Sequence, residues 1–357
     1  MDPELRDVDL GPWKAEDLGE TASLFAGLGA DDRLPADVRF LSNVAKLIRQ
    51  RNAMDKTASD PALPAVFLLS PVPPANLKQS VTRIPMLSNG TTVLNGNIWL
   101  VHAAVNSGYL VEDSPKDGDD LFRFVTDSLG LGDVLAVIYE PRGPNPTIRF
   151  YPRGMNDPDT CNVLLAQGEK VTEDQIFHVI DRVYEQCLRT PDCQSHVGKL
   201  WEDSDKCWPV HDAEAVVQMN LRIGLVGHFL ICTVRDEQKT VVGRTDLEIE
   251  QNDPLNPGNV IRHALLELKI LRSFRHTGTP VPPRETLDWV ALGMEQARQY
   301  GIDKDSRLAT LCCFDMRSTD EKETCFDHVR DKARKAKVIL RRWYLYGSSE
   351  RYRKRHG

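Results

Sequence analysis

Asp246 in GRTDLEIE and Glu267 and Lys269 in HALLELKIL are charges set into stretches that otherwise read as apolar strands. Period-2 alternation places Ala264, Leu266, Leu268 and Ile270 on one face of the second stretch and Leu265, Glu267, Lys269 and Leu271 on the other. In the first, Leu247 and Ile249 share one face while Asp246, Glu248 and Glu250 share the opposite one. Desolvated charge is costly unless something compensates it. Two carboxylates and a backbone carbonyl, with water completing the shell, form the hard-oxygen set that suits Mg²⁺. A plainer reading of the same residues stays open: a Glu267–Lys269 salt bridge on a solvated sheet, with Asp246 partnering Arg244 or Lys269. Glu248 and Glu250 read as solvated edge charges.

The elements that must position these residues form an ordered succession. VHDAEAVVQMNLRIGLVGHF has helical spacing, FLICTVRDE and VVGRTDLEIE read as two strands, and NVIRHALLELKIL reads as a third. ETLDWVALGMEQARQY is a helix, RLATLCCFDMR a fourth strand and FDHVRDKARKAKVILRRW a last helix. The order αβββαβα predicts an α/β unit with a mixed sheet flanked by helices. Upstream, VTEDQIFHVIDRVYEQCLRT opens with a capping box, Thr172 then Gln175, and predicts a helix over about 173–189. The polar stretch 190–210 reads as a loop and sets the expected boundary: an N-terminal α+β domain over 1–205 and a second domain over 206–357. The first 60 residues read as one or two helices behind an acidic lead-in, with Phe40, Val44, Leu47 and Ile48 on one face. AVFLLS, NIWLVHAAV, VLAVIYEP and TIRFY are β-like, with turn signals at Asn89-Gly90 and Asn95-Gly96.

Asp246, then Glu267-Leu268-Lys269, inside an αβββαβ run, resembles the PD-(D/E)xK nuclease superfamily, the restriction-endonuclease-like fold of many restriction enzymes and Holliday-junction resolvases. The likeness covers about residues 210 to 320. A Glu-x-Lys strand alone is a short motif, and its context gives it weight: the Gly243-Arg244-x-Asp246 lead-in, Glu214 on the upstream helix, and Gln296 and Tyr300 on the downstream one. Thr245 stands where many members carry proline. The resemblance implies that Asp246 and Glu267, with the Leu268 carbonyl, bind Mg²⁺ or Mn²⁺ and that Lys269 sits against the attacking water and the scissile phosphate. It further implies Glu214 as an accessory carboxylate, and Gln296 as a residue that positions Lys269 or a phosphate. Helix-dipole stabilisation is the plainer role for Glu214, and a surface position is the plainer one for Gln296. The expected activity is metal-dependent hydrolysis of phosphodiesters, DNA ahead of RNA, with restriction or anti-phage defence as the family-level context. The alternative is a catalytically idle nuclease fold serving as a nucleic-acid-binding or assembly module. In a third reading the N-terminal domain is the working part, sensing a ligand or joining a protein partner; a homo-oligomer is compatible with any of these.

Composition fits this frame. The net charge of −7 over 357 residues hides an excess of acid before residue 250 and an excess of base after it. Base is densest in DKARKAKVILRRWYLYGSSERYRKRHG, where Lys335, Lys337, Arg341 and Arg342 among aromatics form a candidate nucleic-acid surface; a basic surface helix explains them equally well. Eight cysteines without framework spacing suit a reducing compartment. Cys187, Cys193, His196 and Cys207 are four possible zinc ligands, with gaps wider than usual zinc spacing. No apolar run approaches the roughly 20 residues of a membrane span, and the acidic start MDPELRDVDL is unlike a secretory signal, so a cytoplasmic protein is expected. The chain lacks GxSxG, Walker and GxGxxG loops, which argues against triad hydrolases and nucleotide-binding folds. His211, His228 and His263 read as structural.

Overall fold

The computed structural model describes residues 34–54, 63–88, 90–116, 118–166, 171–194, 198–240, 243–252 and 259–356. The acidic lead-in, Asn89 and His196 lie outside them. The protein is mixed α/β, with seven α-helices and fourteen strands among the described residues. It divides into two compact units, Met1–Ala166 and Gln167–Gly357. None of the described helices is long and apolar enough to cross a membrane.

The first unit is built on a seven-stranded sheet of order β2-β4-β3-β1-β5-β6-β7. Its strands are β1 (Ala65–Leu69), β2 (Val81–Ile84), β3 (Ile98–Val101), β4 (Gly108–Val111), β5 (Ala136–Glu140), β6 (Thr147–Tyr151) and β7 (Asn162–Leu165). β1 and β3 run parallel, and every other pairing is antiparallel. Helix α1 (Ala36–Met54) buries Phe40, Val44, Leu47 and Ile48, as its spacing predicts. A buried Arg51 on the same helix donates to the carbonyls of Leu87, Gly90 and Thr92, tying that loop down. Helix α2 (Gly118–Arg123) continues as one π-turn over Phe124–Ser128 and packs Leu121 and Val125 into the sheet's core.

The second unit begins earlier than the loop at 190–210 suggests. Helix α3 (Glu173–Val183) is capped by Thr172, whose Oγ1 accepts from the Gln175 N–H. The helix is part of the second unit because Asp181 accepts from Trp343 Nε1 at 2.7 Å and Tyr184, just past the helix, donates to the Tyr344 carbonyl at 2.6 Å. The loop itself folds into a two-stranded hairpin of β8 (Trp201–Asp203) and β9 (Trp208–Pro209). Helix α4 (Ala213–His228) leads into a five-stranded sheet whose order follows the chain: β10 (Thr233–Thr240), β11 (Gly243–Asn252), β12 (Val260–Arg272), β13 (Ala309–Met316) and β14 (Val338–Tyr344). The first three are antiparallel; β12, β13 and β14 are parallel, joined through α5 (Pro283–Asp303) and α6 (Arg330–Ala336). Helix α7 (Ser349–His356) closes the chain.

Two expectations fail here. VILRRW is strand β14 and not the end of a helix, so the order is αβββαβαβ. Lys337 adopts a left-handed backbone (φ 56°) that ends α6, and the β-branched pair Val338 and Ile339 then enters the sheet. Glu248 and Glu250 are buried, not solvated: Glu248 lies between Arg262 (3.0 Å) and Lys304 (3.4 Å), and Glu250 pairs with Arg235.

Candidate active site

The site forms where the antiparallel ladder between β11 and β12 ends. The last paired residues are Leu247 and Leu266, so the next strand amide along β12 on this side has no β11 carbonyl to meet. Asp246 supplies the substitute: its Oδ2 accepts from the Leu268 N–H at 2.7 Å. The backbone carbonyl of Asp246 accepts from Gln218 Nε2 on α4, also at 2.7 Å, which fixes the end of β11 against that helix. Gln218 is a positioning residue that strand patterns do not reveal. Its only sequence signal is that it falls one turn after Glu214 on the same helix.

On β12, Glu267 and Lys269 point to one side, as alternation requires, and both are buried, at 1% and 6% exposure. Lys269 Nζ donates to Glu267 Oε1 at 2.6 Å and to the Leu268 carbonyl at 3.1 Å. Glu267 Oε2 is buried with no hydrogen-bond partner. The ammonium stem runs beneath α5, where Gly293 makes room for it: a Cβ there would come within 2.9 Å of Lys269 Cγ and 2.8 Å of Leu311 Cδ1. Trp289, one turn earlier on α5, has its ring centroid 5.9 Å from Lys269 Nζ.

The electrostatics arise from three acids and one ammonium sharing little water. Burial first, and then the Asp246 carboxylate, push Glu267 up to about 8 against the pull of Lys269. Glu214 is also raised, chiefly by burial and by Asp246, with Lys269, Arg272 and the Ile270 backbone N–H opposing. Burial works against the charge of Lys269, but Glu267, Asp246 and Glu214 together hold it above its ordinary value. At neutral pH it is therefore an ammonium, a donor to water or phosphate oxygen and not a base.

The structure thus brings together Asp246, Glu267, Lys269 and Glu214, and places the Leu268 carbonyl among them. No hydrogen bond joins Gln296 to Lys269 among the described residues: Gln296 Nε2 bonds along its own helix to Tyr300 (3.4 Å), and its Oε1 is buried with no partner. Among the described residues no three His, Cys, Asp or Glu side chains gather into a ready-made metal-binding group. The donors on offer are carboxylates and a carbonyl, hard oxygens that fit Mg²⁺ or Mn²⁺, and the orphaned Glu267 Oε2 is the kind of buried atom a cation would satisfy.

The expected basic surface divides. Lys335 and Lys337 are exposed at the end of α6, and Arg341 lies over the Phe177 ring at 4.2 Å. Arg342, next along the strand and so on its opposite face, is buried in ion pairs with Asp315 (2.7 Å) and Asp320 (2.5 Å). Cys187 and Cys193 are neighbours, since the second contributes to raising the first, whereas Cys207 accepts from Arg351 at 2.9 Å. All described cysteines are free thiols.

Comparison with family models, with curated proteins and with solved structures returns no match.

Proposed function

We propose that the second unit is a metal-dependent nuclease with a restriction-endonuclease-like arrangement, acting on DNA ahead of RNA. The observation that carries the reading is Glu267: a buried carboxylate with one oxygen unpartnered, raised to about 8, beside Asp246 and a charged lysine. A cluster of this kind costs stability unless a cation or a reacting group completes it, and perturbed carboxylates of this sort gather at working sites. The sequence likeness and the αβββαβ succession support the same reading.

Asp246, Glu267 and the Leu268 carbonyl would hold Mg²⁺ or Mn²⁺. The ion supplies charge neutralisation and a more acidic water. Lys269 would turn from Glu267 to a phosphate oxygen or the attacking water, donating to either. Glu214 orients groups at the same edge, and Gln218 keeps β11 in place. Lys335, Lys337 and Arg341 are candidate contacts to the nucleic-acid backbone; Arg342, committed to two aspartates, is left out. Restriction or anti-phage defence rests on fold-level analogy, and target or partner recognition is the role proposed for the first unit.

The test is cleavage by the full chain of supercoiled plasmid, single-stranded DNA and RNA with Mg²⁺ or Mn²⁺. The expected result is metal-dependent cleavage that Lys269→Ala slows by about 10²- to 10³-fold while leaving nucleic-acid binding intact. Absence of cleavage on every substrate with both ions sinks the enzyme. The second reading, an idle nuclease fold used for binding, is favoured by the closed 2.6 Å Glu267–Lys269 pair, and binding without cleavage would support it.

A further inference from the structure

Beside the carboxylate cluster lies a cleft of about 320 Å³, lined by His211, Glu214, Arg272, Arg275, His276 and Trp289 together with Ala213 and Ile270. It meets the cluster at two residues. Glu214 belongs to both, and Trp289 lies across from the Lys269 ammonium. Beyond Glu214 the polar lining is all basic or imidazole. The Arg272 guanidinium makes no side-chain hydrogen bond and no close ion pair among the described residues, and its charge helps hold Glu214 down. Arg275 is held at the rim by a two-pronged bond to Glu285, at 2.9 and 3.0 Å. The rings of His211 and His276 meet edge to face with centroids 5.0 Å apart. Trp289 is 38% exposed, a large apolar face left to water in a wall that also carries two arginines.

An aromatic face among arginines is the chemistry that receives a base and its phosphate. The volume narrows the choice. About 320 Å³ falls at the small end of ligand sites, room for one nucleotide and not for stacked base pairs. A base can enter such a cleft only after it leaves the stack, which costs little in a single strand and several kcal/mol in a duplex. We propose that this cleft is a subsite for one unpaired nucleotide next to the scissile phosphate, its base on Trp289 and its flanking phosphate on Arg272. The substrate is then single-stranded DNA or an unpaired end, in preference to continuous duplex.

This inference rests on the nuclease reading, and binding separates the two. Fluorescence titration of the metal-free full chain with oligothymidylate of about ten nucleotides, and with a blunt hairpin duplex of equal length, reads the subsite alone. The expected result is tighter binding of the single strand, weakened about tenfold by Trp289→Ala and by Arg272→Ala, with Trp289→Phe restoring most of it. The hairpin should be insensitive to all three changes, and melting curves confirm that each variant is folded. Equal affinity for both nucleic acids, or single-strand binding unchanged by Trp289→Ala, overturns the subsite even if the wild type cleaves DNA. Trp289-dependent binding with no hydrolysis under Mg²⁺ or Mn²⁺ upholds the subsite and overturns the nuclease.

Discussion

Two buried acid centres sit on neighbouring strands of one sheet, and they are completed differently. On β13, Asp315 is fully buried, yet both of its oxygens are taken: Arg317 donates through its backbone N–H and its guanidinium, and Arg342 donates from β14. Asp320 extends the set by pairing with Arg342 and with Arg355 of α7. Both arginines are held above their ordinary values although burial pulls them down, because the aspartates outweigh it. On β12, Glu267 has one ammonium for one oxygen and nothing for the other. Equal burial therefore does not mean equal purpose. A carboxylate with enough donors ties elements together, whereas one with too few is left to take up a proton or a cation.

The contrast can be broken from either side. The largest effect should come from the closed centre: Asp315→Ala strands Arg317 and Arg342 without their shared acid, and a loss of about 3–5 kcal/mol is expected in urea unfolding. A mild effect there would show that the network is solvated and would remove the comparison. Next is Gly293→Ala, which places a Cβ against the Lys269 stem. Overpacking should cost about 1–3 kcal/mol, and the rate of cleavage should fall while nucleic-acid affinity holds. If kcat is unchanged in that variant, the placement of Lys269 is not what sets the rate.

The smallest effect is a pH trend. Glu267 is raised in the folded protein from 4.5 to about 8, so between those values the native state binds more protons than the unfolded chain. Its contribution is fully present below the unfolded value and is lost as pH rises through about 8. Thermal melts of the metal-free protein should show Glu267→Gln overtaking the wild type on the alkaline side of that window. Parallel pH profiles for the two proteins would mean that Glu267 does not lack donors in solution.

The alternation of HALLELKIL was enough to place Glu267 and Lys269 on one side of a strand, and that of GRTDLEIE to set Asp246 on the face away from Leu247 and Ile249, because strand periodicity is a local property. The same reasoning misplaced VILRRW: its basic and apolar residues match helical spacing, and only the adjacent Val338 and Ile339 signal a strand. Glu248 and Glu250 looked solvated because their partners Arg262, Lys304 and Arg235 come from other elements and from a register that no local pattern specifies. Gln218 and Gly293 stayed invisible for the same reason. One caps a strand carbonyl from a helix and the other matters by what it lacks. The helix over 173–189 was clear from its cap, but its membership of the second unit depends on contacts to Trp343 and Tyr344 far along the chain.

The bond from Leu268 N–H to Asp246 has a consequence for observation. Most amides in the middle of a sheet are guarded by the neighbouring strand and exchange with solvent deuterium only when the fold opens. This one is guarded by a side chain that can be drawn aside while the sheet stays whole. Its exchange rate should therefore track the position of the Asp246 side chain, making a single backbone proton a gauge of the site that needs no substrate and no turnover.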